Sequence, residues 1–300
     1  MKLKYDHKKA VKPRDVDEKL SQYIFRPLGS LIVKALLNTS VTPNHVTYFA
    51  MFLGMSSGVA FYFGVHPAIS AFLLFCALLL DIVDGQLARA RGGGSPKGRL
   101  LDGVADYIVL ITLYVTIVFR FLSKYPDSHI LLISIVAAIC HIVHSYLFDM
   151  DKNKYNLNIG RGFIDGVVSF SEGKEHLKGA ISKKSPIDII FNLFLVGYLF
   201  GIEAAEKITA KINGKRQSVL NEDKAGIYKL NYKKVVVMWT YLGPVTHVFY
   251  FVIGFLFQII EPKSLIYVFW FIIIPSNIYV IIINVVKHYA AKRFKKMISA

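Results

Sequence analysis

The stretch "DIVDGQLARARGGGSPKGRLLDGVAD", residues 81–106, decides how this chain is read. It follows the apolar run "AISAFLLFCALLL" and opens another, so charged groups stand where burial is costly. Asp81 and Asp84 are three apart and share one helical face. Asp102 and Asp106 are four apart and do the same on the next helix. The glycine-rich break between them predicts two adjacent antiparallel helices with all four carboxylates at one end. Carboxylates that close repel one another unless a cation neutralises them. One account is an ion-pair cluster with Arg89, Arg91, Lys97 and Arg99. The other is a metal–phosphate site, in which oxygen ligands favour magnesium or manganese and Arg89 offers charge to a phosphate. Four aspartates on matching faces, interleaved with Gly85, Ala88 and Gly98, favour the metal.

Outward from the motif, the chain is 300 residues long and 54% hydrophobic, with mean hydropathy +0.45 and formal net charge +16. Apolar segments near 46–65, 68–90, 102–122, 129–149, 236–258 and 265–287 approach the ~20 residues that span a bilayer. The expected fold is an all-α integral membrane protein with six transmembrane helices. Lysine and arginine gather in 1–45, 91–101, 150–235 and 288–300. The links at 66–67, 123–128 and 259–264 carry only Lys124 and Lys263. That asymmetry puts both termini and the motif on the cytoplasmic face. The basic surfaces then meet anionic headgroups, and nucleic acid is not expected as a partner. Counting 187–208 as a seventh span would invert the basic tail; with Asp188, Asn192, Glu203 and Glu206 it reads as an amphipathic interfacial helix.

The organisation follows. Residues 1–45 are a basic amino terminus, with 1–14 expected to be disordered and an interfacial helix expected from Asp15, kinked or broken at Pro27. Residues 46–149 hold four spans and the motif. Residues 150–235 form a cytoplasmic connecting segment, loop-like at "SEGKEHLKGAISKKSP". Residues 236–287 hold two spans and 288–300 a basic tail. The polar first twenty residues do not read as a cleavable signal. Cys76 and Cys140, inside apolar segments, read as buried thiols.

The motif resembles the signature of the CDP-alcohol phosphotransferases, D-x2-D-G-x2-A-R-x8-G-x3-D-x3-D, and meets it at Asp81, Asp84, Gly85, Ala88, Arg89, Gly98, Asp102 and Asp106. "TPNHVT", residues 42–47, is similar as well; Lys97, where many members carry an aromatic residue, departs. The resemblance implies attack by an alcohol on the β-phosphorus of a CDP-linked donor, with release of CMP. It implies two magnesium or manganese ions on Asp81, Asp84 and Asp102, with Asp106 near them as general base. It implies a nucleotide and diphosphate site of Asn44, Thr47, Asp81, Gly85, Ala88, Arg89 and Gly98. It also implies a homodimer.

Polar residues on other spans are the candidates for the acceptor. His141, His144, Ser145 and Asp149 make a stripe on the fourth span, and Asn277 and Asn284 another on the sixth. Thr240, Thr246 and His247 lie on the fifth, where a packing histidine is an equal reading. Because Arg120 lies toward the wrong end of its span and the other basic residues fall mostly in loops, with Arg161 and Lys152 as the exceptions to consider, an unphosphorylated small alcohol and CDP-diacylglycerol are the favoured pair. Transfer from a CDP-amino alcohol to diacylglycerol is the alternative within the family. A divalent cation transporter is the alternative outside it, less favoured because the carboxylates sit at one end of their helices.

Overall fold

In the computed structural model, residues 3–126, 129–161, 170–182, 189, 196 and 220–299 are described. All regular structure among them is helical: α1 His7–Ala10, α2 Arg26–Leu36, α3 Pro43–Tyr62, α4 Pro67–Ala90, α5 Pro96–Lys124, α6 Ile130–Asn158, α7 Phe170–Ser182, α8 Glu222–Trp239, α9 Pro244–Phe257, α10 Ser264–Ile273 and α11 Pro275–Ser299. A five-residue π-helical turn, Ser21–Phe25, runs directly into α2. The expected helix therefore starts at residue 19 and not at Asp15, and it runs through the π turn and past Pro27 without the expected break.

Among the described residues, five helical stretches are long and apolar enough to cross a membrane: 67–90, 101–124, 130–158, 223–257 and 264–299. This is a multi-pass membrane protein. The first of the six expected spans corresponds to α3, which packs along α4 and α5 but is not among the five. Asn44, His45, Thr47, Ser56 and Ser57 dilute its apolar character. The last two expected spans each carry a break, at Thr240–Gly243 and at Ile274. The "SEGKEHLKGAIS" stretch, expected as loop, is α7. Its run of single-helix formers outweighs two glycines. The amphipathic helix expected at 187–208 lies outside the described residues apart from 189 and 196.

The starts of α3, α4 and α5 share one device. Thr42, His66 and Ser95 each accept a backbone N–H, and each is followed by proline at the first helical position. At the close of α4, Arg91 donates to the carbonyls of Leu36, Leu37, Thr39 and Val41, satisfying the open end of α2 and the turn into α3. Gly54 and Gly58 bring α3 against α5. A Cβ on either would lie 2.6 Å from Val109 or 2.7 Å from Thr116, the close approach that small residues four apart permit.

The amino-terminal segment, expected as disordered through residue 14, is ordered against this scaffold. Leu3 N–H donates to Asn38 Oδ1, and Arg89 Nε donates to the Ala10 carbonyl at 2.9 Å. Asp15 accepts from Arg161 and Tyr155. Burial works to raise the Asp15 carboxyl, but the Arg161 hydrogen bond and charge outweigh it and hold it below the ordinary range. Asp17 and Arg26 form a buried two-pronged pair at 3.0 Å. Glu18 takes the place of a missing cap at α9, accepting from Val245 N–H and from Thr246 N–H and Oγ1. A side chain on Gly243 would occupy the space of the Glu18 carboxyl.

Two outcomes follow. Burial pushes Glu18 up to about 7 despite its three donors. A raised group contributes stability that is complete below its ordinary value and lost as pH rises through the folded one. The melting temperature should therefore fall as the pH is taken from about 5 to about 8.5, and fall less in Glu18→Gln. Removing one partner of the Asp17–Arg26 pair leaves a buried lone charge, so Asp17→Asn should cost about 3 kcal/mol. The double change Asp17→Leu with Arg26→Met should recover most of that loss in a denaturation assay.

Candidate active site

α4 ends where α5 is about to begin, and the glycine-rich turn between them with the capped, proline-led start of α5 sets the carboxylates face to face. Asp81, Asp102 and Asp106 each offer an oxygen within 4.8 Å of the others. Asp81 lies within hydrogen-bonding reach of both Asp102 and Asp106. Asp102 Oδ1 is buried without a hydrogen-bond partner. An orphaned carboxylate oxygen among three converging acids suits a hard divalent cation, which takes oxygen ligands and offsets their charge. The donor set therefore fits the metal expected from the sequence.

Asp84 differs from the other three. It is buried, and its Oδ2 accepts from Thr47 Oγ1 at 2.5 Å. Thr47 thus ties the start of α3 to the motif. Asn44 makes the second tie: a Cβ on Gly98 would lie 3.1 Å from its Oδ1 and 3.2 Å from Ser95 Oγ. Gly98 leaves room for the "TPN" turn to approach the start of α5. Gly85 plays the same part for Arg89, whose guanidinium would lie 3.2 Å from an added Cβ. Ala88 packs near Gly94 in the break. Thr47 thus meets Asp84, Asn44 meets Gly98, Arg89 meets Gly85 and Ala88 meets Gly94 around the turn between α4 and α5.

The ion-pair account of the aspartates is weakened by the cations themselves. Arg91 is spent on four carbonyls, and Arg99 donates to the Gly94 carbonyl. Lys12, a residue with no signal in the sequence, lies close enough to act electrostatically on Asp81 and Asp102. Its approach depends on the ordered amino-terminal segment, which composition alone read as free.

The proposed acceptor residues divide. His144 meets Asn277 of α11 at 3.2 Å and His247 of α9 at 3.1 Å, and His141 stacks on His247 at 4.6 Å. Asp149 instead takes the Lys152 ammonium at 2.6 Å. Asn284 donates to the Val280 carbonyl of its own helix, and Ser145 is hydrogen-bonded to none of the histidines among the described residues. The histidine group is also deeper than the motif. His141 lies beside Tyr114, 6.4 Å between rings, and Tyr114 is eight residues, about 12 Å of helix, beyond Asp106. A stripe on one helix fixes a face and a rough depth; which residues meet across the bundle depends on the partners.

A multi-pass helical membrane protein with a carboxylate cluster able to hold a metal ion, at the shared end of two antiparallel helices, is the class this fold and site define. The chain belongs to the CDP-alcohol phosphatidyltransferase family, whose model matches residues 40–286. It is 24% identical over 128 residues to the phosphatidylinositol phosphate synthase of Mycobacteroides abscessus, covering 43% of this chain and 58% of that protein. To the synthase of the same name from Corynebacterium glutamicum it is 30% identical over 132 residues, covering 43% of this chain and 58% of the relative. A bifunctional IPC transferase and DIPP synthase of Aquifex aeolicus is 35% identical over 113 residues, 32% of this chain and 26% of that protein. The matched regions thus span under two thirds of these relatives.

A cation that binds only the folded site stabilises it by mass action. Magnesium or manganese should raise the melting temperature of the purified chain. The increment should shrink in Asp81→Asn, Asp102→Asn and Asp106→Asn, and survive in Asp149→Asn, whose carboxylate lies outside the cluster.

Proposed function

We propose that this chain is a phospholipid-forming transferase that joins an alcohol to the β-phosphorus of a CDP-linked donor and releases CMP. The observation that carries the reading is the convergence of Asp81, Asp102 and Asp106 inside a complete family signature. A pair of divalent cations at this cluster would supply positive charge to the donor diphosphate and to the departing phosphate. Asp81, Asp84 and Asp102 would hold them. Thr47 keeps the Asp84 carboxylate oriented, and Arg89, with Gly85, Ala88, Gly98 and Asn44 beside it, would receive the diphosphate and nucleotide. Asp106 would accept the proton of the attacking hydroxyl. The new bond joins that oxygen to the β-phosphorus, the bond broken is the phosphoanhydride to CMP, and CMP leaves with the electron pair. The motif, the termini and 150–235 would face the cytoplasm, and the chain would act as a homodimer.

For the donor we favour CDP-diacylglycerol over a CDP-amino alcohol. The relatives named phosphatidylinositol phosphate synthases support a lipid-linked donor by likeness. For the acceptor we place a small alcohol. One observation favours a second reading, in which that alcohol bears a phosphate. A cavity of about 400 Å³ is lined by Arg14, Lys19, Arg161, Lys229 and Lys233, with Asp15 as its carboxylate. Asp15 is already engaged by Arg161 and Tyr155. The cations sought inside the spans by sequence are gathered here instead, two residues along the chain from Lys12.

The transfer is tested by supplying each labelled donor to the purified full chain with magnesium and identifying the lipid product. Asp106→Asn should lower single-turnover transfer by about 10²-fold or more while keeping donor binding. Asp84→Asn should lose both. Equal loss of donor binding in the two would reassign Asp106 as a ligand. For the acceptor, Lys229→Glu with Lys233→Glu should raise KM for a phosphorylated alcohol about tenfold or more and leave KM for its unphosphorylated form unchanged.

A further inference from the structure

Deep in the bundle, Nδ1 of His144 on α6 lies 3.1 Å from Nε2 of His247 on α9. Each ring is also engaged on its far side. His247 Nδ1 lies 3.0 Å from the Gly243 carbonyl oxygen, which can only accept, so that nitrogen carries a hydrogen. His144 Nε2 lies 3.2 Å from Asn277 Oδ1. The orientation of this amide is set at its other end, where Nδ2 donates to the Ile273 carbonyl at 2.7 Å and to Cys140 Sγ at 3.3 Å. A flipped amide would set oxygen against oxygen at 2.7 Å. His144 Nε2 must therefore carry a hydrogen too.

A neutral imidazole has one N–H. With both outer nitrogens protonated, two neutral rings would meet lone pair to lone pair. We infer that His144 and His247 share one additional proton between their facing nitrogens, forming a buried, singly charged latch that ties α6 to the first turn of α9 and to α11. At 3.1 Å the gap suits an N–H···N hydrogen bond.

Loss of the shared proton forces a choice. One ring must turn its hydrogen inward and give up either Gly243 or Asn277. Gly243 begins the turn whose N–H groups hold Glu18, so the latch connects to the amino-terminal segment that carries Lys12 to the carboxylates. The groups facing it are His141 of α6, 4.6 Å from His247 with its Nδ1 buried and unpartnered, and Tyr250 of α9 at 5.7 Å. Tyr114 of α5 lies against His141, Cys140 touches Asn277, and Glu18 reaches Thr246 from the amino-terminal segment. Among them Glu18 is the carboxylate. Burial opposes the extra proton, while the three hydrogen bonds favour it.

The test needs no substrate and is independent of the proposed transfer. The full chain in nanodiscs, labelled with nitrogen-15 histidine, is titrated across about pH 5–8, the range in which histidine changes charge. Below its transition the wild type should show hydrogens on His144 Nε2 and His247 Nδ1 together. Asn277→Asp puts a carboxylate opposite His144 and should raise the transition by about one pH unit or more, tenfold in proton affinity. Asn277→Leu frees His144 to protonate at Nδ1, so an ordinary neutral bond forms and the transition disappears. Opposite responses at one position separate a proton site from general loss of packing; should Asn277→Leu not fold, the wild-type spectrum and Asn277→Asp still decide. A wild-type His144 Nε2 without hydrogen throughout the titration, a downward or absent shift in Asn277→Asp, or a stoichiometric zinc ion between the rings would overturn the inference.

Discussion

Mutual repulsion among carboxylates at the end of two membrane helices is the constraint on which the rest of this structure depends. Asp81, Asp102 and Asp106 cannot approach within 4.8 Å of one another at little cost unless positive charge is supplied. Much of the surrounding architecture brings that charge near or keeps the acids in place. Thr47 fixes Asp84, Gly98 admits Asn44, and Arg91 closes the end of α2 so that α3 can start beside the motif. The amino-terminal segment brings Lys12 over the cluster and is itself held by Arg89, Arg161, Arg26 and the first turn of α9.

This arrangement separates two kinds of helix in the bundle. α4 and α5 present the four aspartates at their shared end. α6, α9 and α11 meet deeper, through His144, His247 and Asn277. Glu18 connects the two regions, because it is bound to the turn that starts α9 and also acts electrostatically on Asp106. A buried polar network of this sort fixes one packing of the helices, since each unsatisfied member would be costly.

Much of this was legible in the sequence, for local reasons. The helices α4 and α5 and the facing aspartates follow from hydropathy, spacing and the glycine break. Elements whose order comes from distant partners were not legible. Residues 3–14 look like a solvated basic tail until Arg89 and Asn38 are placed beside them. The helix α7 carries too few apolar residues to announce itself, and α3 carries too many polar ones to be counted with the five membrane-length helices. At the site, Asp81, Asp102 and Asp106 came together as their spacing required, whereas Lys12 and the role of Thr47 toward Asp84 depend on tertiary contacts. The stripe placed His141 and His144 on one helical face, and both lie in the buried group with His247, whereas Asp149 and Asn284 have other partners because a helical face says nothing about what stands opposite.

The central claim is that this carboxylate cluster holds the cation that receives the donor diphosphate. It is tested most directly by electron paramagnetic resonance of manganese bound to the full chain with a CDP-diacylglycerol whose β-phosphate oxygens carry oxygen-17. Direct coordination predicts broadened manganese lines in the wild type and loss of the bound signal in Asp81→Asn. Lines unchanged by the label, or manganese bound equally well by Asp81→Asn, would contradict the account.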